Sequence, residues 1–151
     1  MQDTISLPIK NDDGEVAYTI DGVSYSSFYP FSSAAYGWIG KNSFLFSNAT
    51  GLNPAGRWSI YVVVDSVNGP GSYPIDHTLN YNCQIEKRIG DNTVGFWSTI
   101  SGGSGVVNIS SMDTLSRRIS GTFNVTAAST NTIIPGNIII SDGVFDNLYY
   151  E

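Results

Sequence analysis

The sequence predicts an all-β protein, an antiparallel β-sandwich whose strands follow one another in meander order, with an up-and-down β-barrel as the alternative. Three observations carry this. In Arg117 to Ala128, Ile119, Phe123, Val125 and Ala127 share one parity, and Ser120, Thr122, Asn124 and Thr126 hold the other. Side chains alternate across an extended chain with a period of two, so the segment reads as a half-buried strand. Similar short runs recur about every ten residues between Gly, Asn and Asp turns, the rhythm of a sandwich or barrel. No window shows a helical repeat. Each strand leads through a short turn to the next, which favours a meander over long-range crossovers.

In chain order, residues 1–14 read as a flexible polar leader without strand or helix period, and 15–151 as a single β domain. Val16, Tyr18 and Ile20 alternate up to Asp21-Gly22, and Val23 and Tyr25 resume beyond it. Asp-Gly between alternating runs is a strong hairpin signal, because the turn needs positive φ. Ser26 to Ser33 reads as a loop, and Tyr36 to Ile39 with Ser43 to Ser47 as a second hairpin around Gly40-Lys41-Asn42. Arg57 to Asp65 is the firmest central strand. Trp58, Ile60, Val62 and Val64 form one face, while Tyr61 and Val63 imply partial burial of the other. Ser66 to Ser72 is expected as a loop and Thr78 to Glu86 as a strand, joined through Gly90-Asp91-Asn92 to Thr93 to Ile100. Glycine-rich Ser101 to Gly105 is expected to separate that strand from one beginning at Val107. The chain closes as Thr132 to Ser141 and Val144 to Tyr150, a hairpin broken at Asp142-Gly143.

The 151 residues hold seven Lys and Arg against 13 Asp and Glu, a net charge of −6. That sign repels a phosphate backbone, so nucleic acid is not expected as a partner. No run approaches the roughly 20 apolar residues of a membrane helix. Cys83 is the single cysteine. It shares parity with Leu79, Tyr81 and Ile85, so it reads as a buried packing residue. A nucleophile would need a base, and the one histidine, His77, lies roughly 20 Å away along an extended strand.

Candidate sites follow from residue chemistry. Asp12, Asp13 and Glu15 around Gly14 offer oxygen ligands suited to Ca2+, though EF-hand spacing is absent; an acidic turn in solvent, with no cofactor, is the plainer reading. Glycoside hydrolysis needs two carboxyl groups across a cleft, whereas most acids here occupy turn positions. Glu86 is the one acid near a strand centre, and Lys87 and Arg88 beside it suggest a solvated surface. No serine-triad elbow is present, so an enzyme is not expected. Aromatics make up 13% of the chain, with nine Tyr and three Trp. Flat exposed rings bind sugars, which makes Trp38, Trp97, Tyr29, Tyr149 and Tyr150 candidate ligand contacts. Trp97, opposite in parity to Val94, Phe96 and Ile100, is expected to face outward. Strand preference and cross-strand pairing explain aromatics equally well.

ISGTFNVTA, from Ile119 to Ala127, is followed by ISDGVFDNLYY, from Ile140 to Tyr150, and preceded by YTIDGVSYSS, from Tyr18 to Ser27. Together these resemble an uncharacterised lipoprotein domain family of Bacteroidota, whose members open with an IDG-aromatic hairpin and end with a GTF strand and a G-x-F hairpin. Tyr25 stands where that family often carries tryptophan. The resemblance implies an exported, lipid-anchored β domain, with Met1 standing where a lipidated cysteine would be, in the periplasm or at the cell surface. It supplies no catalytic residues. That address also implies O-glycosylation at Asp-Ser/Thr-apolar triplets, here Thr4, Ser66 and Thr114. The expected function is a non-catalytic cell-envelope module that binds a protein partner, with a carbohydrate-binding module as the alternative.

Overall fold

A computed structural model describes residues 14–20, 22–28, 32–36, 44–49, 57–64, 67–76, 83–89, 91–130 and 136–150. Within these, every regular element is a strand: β1 (Glu15–Ile20), β2 (Val23–Phe28), β3 (Ser32–Tyr36), β4 (Phe44–Ala49), β5 (Arg57–Val64), β6 (Gly71–Asp76), β7 (Cys83–Ile89), β8 (Asn92–Asp113), β9 (Arg118–Ser129) and β10 (Ile138–Tyr149). They pair antiparallel in one sheet of order β2-β1-β10-β9-β8-β7-β5-β4-β3, with β6 alongside β8. Most neighbours are consecutive in the chain, as a meander requires. The exceptions are β1 on β10, which joins the first and last strands, β5 on β7, and β6 on β8, which leaves β6 off the main path. The sheet curls into a half-barrel: β3 comes within 8 Å of β10 across the opening, Cα to Cα.

Alternation decides what fills the curl. Val16, Tyr18 and Ile20 of β1, Trp58, Ile60, Val62 and Val64 of β5, and Ile119, Phe123, Val125 and Ala127 of β9 are buried together. Val63, on the opposite parity of β5, is buried as well, so this strand is covered on both faces. Cys83 and Ile85 of β7 are sealed in the same core. Each fully buried Ile, Val or Phe side chain contributes roughly 1.5–3 kcal/mol relative to exposure, which makes this interior the main source of stability.

Two expected breaks are instead irregularities within longer strands. The glycine-rich stretch does not end a strand: β8 runs on for 22 residues. Its register jumps, because Ser98 faces Ala128 while Gly103 faces the adjacent Ala127. Four residues of β8 (99 to 102) are thereby looped out, and the strand bends there on Gly102 and Gly103, at φ 133° and 107°. A Cβ on Gly103 would run into the carbonyl oxygen of Thr126. Beyond the bend the same edge of β8 changes partner, from β7 to β6. Asp142-Gly143 is likewise a bulge inside β10, where the register slips between Ile140 and Gly143 with Asp142 left-handed at φ 52°. A second slip follows between Phe145 and Leu148, at Asn147 with φ 52°. Each extra residue flips the parity, so Ile138 and Ile140, then Gly143 and Phe145, then Leu148 and Tyr150 all stay buried.

Two expected loops are also shorter than the sequence suggested. β2 continues to Phe28 and β3 begins at Ser32, both inside the loop expected over Ser26 to Ser33. β6 begins at Gly71, inside the loop expected over Ser66 to Ser72, and holds Pro74 against Val106.

Candidate functional site

The aromatic candidates turn inward. Trp97 is only 2% exposed, so the outward orientation expected from its parity is corrected. Phe96 is the outward residue of that pair, and Trp97 folds back over Gly95, where a Cβ would collide with its ring. Its indole Nε1–H donates to the Gly136 carbonyl at 3.1 Å. Tyr149 and Tyr150, expected at an edge, are 8% and 5% exposed. Arg118 stacks 5.7 Å above Tyr149, and the Tyr150 hydroxyl reaches the Asp113 carbonyl at 3.4 Å. Trp38 and Tyr29 lie outside the described residues.

Rings instead run as a chain through the interior. Centroids are 6.4 Å apart for Phe145–Phe123, 6.4 Å for Phe123–Tyr18, 5.9 Å for Tyr18–Tyr25, 6.3 Å for Tyr25–Trp58 and 5.6 Å for Trp58–Trp97. These are the tilted and edge-on separations that aromatic quadrupoles favour. Tyr25 on the terminal strand β2 thus meets Trp58 on β5 across the curl. Lys87 completes the group with its Nζ 5.0 Å over the Trp58 ring, a cation–π contact on a half-buried side chain. The Tyr18 hydroxyl is buried and has no hydrogen-bond partner among the described residues; burial, with Tyr25 and Cys83 nearby, pushes its pKa up. Burial pushes the Cys83 thiol up to about 12. A thiol so held is a packing group, and Thr99 Oγ1 accepts the backbone N–H beside it at 2.9 Å.

The ionisable groups on the described surface are spread out. Glu86 accepts from the Thr93 hydroxyl at 2.7 Å and sits 3.6 Å from Arg88 Nε, a tie within one hairpin. Asp113 caps the β8–β9 turn: its Oδ1 accepts the backbone N–H of Leu115 and Ser116 at 2.9 and 3.2 Å, which holds its pKa below the usual carboxylate value. Thr114 stands exposed in that turn, open to modification. Thr4 and Ser66 lie outside the described residues, as do Asp12 and Asp13. Glu15 begins β1 opposite Asp146 of β10, and no three His, Cys, Asp or Glu side chains converge among the described residues.

What the fold leaves open is a strand edge. β2 terminates the sheet, bonded to β1 and, among the described residues, to no other strand. Ile20 and Val23 close the β1–β2 hairpin across positions 21–22, so their backbone groups bond each other. Antiparallel ladders alternate, so Val23, Tyr25 and Ser27 bond inward to β1. The N–H and C=O of Ser24, Ser26 and Phe28 therefore point away from the sheet. Proteins blunt such edges with Pro, Lys or bulges. β6 carries Pro74, and the other terminal strand, β3, approaches β10. β2 (VSYSSF) has no Pro, no charge and an unbroken register with β1. Val23 is 52% exposed beside the open seam. Sequence reasoning passed over this site because terminal position depends on the closure of β1 onto β10; the neutral, proline-free run after Asp-Gly was the signal available.

No family model, curated protein or solved structure matches the chain.

Proposed function

We propose that this protein is a non-catalytic module of the cell envelope that binds a protein partner. The observation that carries the reading is the neutral, unbroken, outward-facing edge of β2, a surface suited to main-chain pairing and to no chemical step. The carbohydrate-binding alternative drew on flat exposed rings, and Trp97, Tyr149 and Tyr150 offer none. The exported, lipid-anchored address in the periplasm or at the cell surface, and glycan attachment at Thr114, follow from the resemblance to Bacteroidota lipoprotein domains. As an architecture we read the curl as two packed layers, a sandwich in which β8 passes from one layer to the other at its bend. The contact of Tyr25 with Trp58 supports that reading.

The test is capture of partners from envelope fractions of the native host by the full-length protein, beside a glycan array. A protein partner enriched reproducibly by the folded protein and not by the heat-unfolded one is expected. Retention of a glycan with no protein partner would overturn the proposal.

A further inference from the structure

We infer that the partner is an extended segment of another protein that adds to β2 as an eleventh strand, apolar at alternate positions and basic at its ends. The inference rests on the protein-binding reading and names the chemistry of its ligand. Ser24, Ser26 and Phe28 offer their N–H and C=O groups in the spacing of an antiparallel or parallel ladder. A strand laid there places every second side chain inside the curl, beside Val23 and Tyr25, where Tyr25 already touches Trp58 and Lys87 lies over the same indole. Those positions call for apolar residues. The intervening side chains fall beside Ser24 and Ser26, which are exposed, and call for small polar ones. Charge decides against a second copy as occupant. Each copy carries −6, so two copies repel, whereas a segment with Lys or Arg at its ends is drawn in. β2 itself contributes no charge to disturb the pairing.

The probe is a short synthetic peptide alternating valine and threonine between lysine ends, with a scrambled peptide of the same composition as control. Binding is read by fluorescence anisotropy, and amide hydrogen exchange is followed residue by residue. Saturable binding of the alternating peptide is expected, with slowed exchange at Ser24, Ser26 and Phe28. Ser26→Pro removes one outward N–H without touching the β1 ladder, a substitution that edge strands tolerate. It should weaken binding about tenfold, the loss of one hydrogen bond plus the ring's obstruction. Ser24→Pro is the second variant, and Ser26→Ala should bind as the native protein does; near-UV circular dichroism verifies that each is folded. Absent binding, equal binding by both folded proline variants, slowed exchange confined to β3 or β6, or peptide-independent pairing of two copies would each overturn the inference. A native partner captured equally well by Ser26→Pro would refute strand addition while leaving the protein-binding reading in place.

Discussion

Single residues inside the curl have consequences that can be measured. The Tyr18 hydroxyl is buried and, among the described residues, unpartnered, and such a group costs about 1 kcal/mol or more relative to its absence. Tyr18→Phe should therefore keep or raise stability by about 1 kcal/mol in urea unfolding; a clear loss would show that the hydroxyl has a partner. Cys83 gives a pH signature. Its thiol ordinarily ionises near 9.0 and is raised to about 12 in the folded state, so the folded chain holds the proton longer than the unfolded chain. Stability is then unaffected by this group below pH 9 and falls as pH climbs from about 9 towards 12, with Tyr18 shifted in the same direction. Thermal unfolding across that range should show the decline, and Cys83→Ala should reduce it. The native thiol should also resist alkylation at pH 8 until the protein is unfolded. Asp113 acts at the other end of the scale, since its turn hydrogen bonds favour the carboxylate. What it contributes is present above its ordinary value of 3.8 and is lost as pH falls through its lower folded value.

At the level of elements, the bulges in β10 show how a strand keeps its buried phase over an irregular path. Asp142 sits left-handed at φ 52°, a conformation that costs a residue with a Cβ about 1 kcal/mol and costs glycine almost nothing. Asp142→Gly should accordingly stabilise the fold by about 1 kcal/mol, and Asp142→Val should destabilise it, as chemical denaturation would report. Gly121 of β9 presents the opposite constraint. A Cβ there would meet the Asn108 carbonyl oxygen and the Phe145 ring, so the strands approach more closely than a side chain allows. Gly121→Ala should cost about 3 kcal/mol, the penalty of forcing atoms into a filled core. Local pattern reads Gly121 as an ordinary strand residue and Asp142 as part of a turn, and only the pairing register reveals what they do.

Across the whole molecule, one continuous sheet encloses its own core, and aromatic rings bridge walls that are distant in sequence. Trp97 joins β8 to Trp58 of β5 and to the Gly136 carbonyl. Removing its ring should cost about 4 kcal/mol, the usual range for a buried aromatic truncated to Ala. Trp97→Ala should therefore lower the melting temperature strongly; an unchanged melting temperature would indicate a surface ring after all. Tyr25 touches Trp58 at the seam, so a strand added to β2 should alter the fluorescence of the buried tryptophans and raise the melting temperature as binding stabilises the folded state.

The two-residue rhythm of β1, β5 and β9 was enough to assign an all-β fold and most of the core, because burial on one face of a strand is written directly into alternate side chains. Cys83 was placed correctly for the same reason. Alternation fails wherever the count of residues on paired strands differs. Asp142-Gly143 therefore read as a turn and Ser101 to Gly105 as a gap between strands. Trp97 was misread for another reason: the register around it is regular, but Val94, Phe96 and Ile100 place apolar side chains on the outward parity. The strand edge was out of reach for a related reason. Whether a neutral run such as VSYSSF is central or terminal depends on which strands close beside it, and that is settled by long-range hydrogen-bonded pairing, which local sequence does not encode.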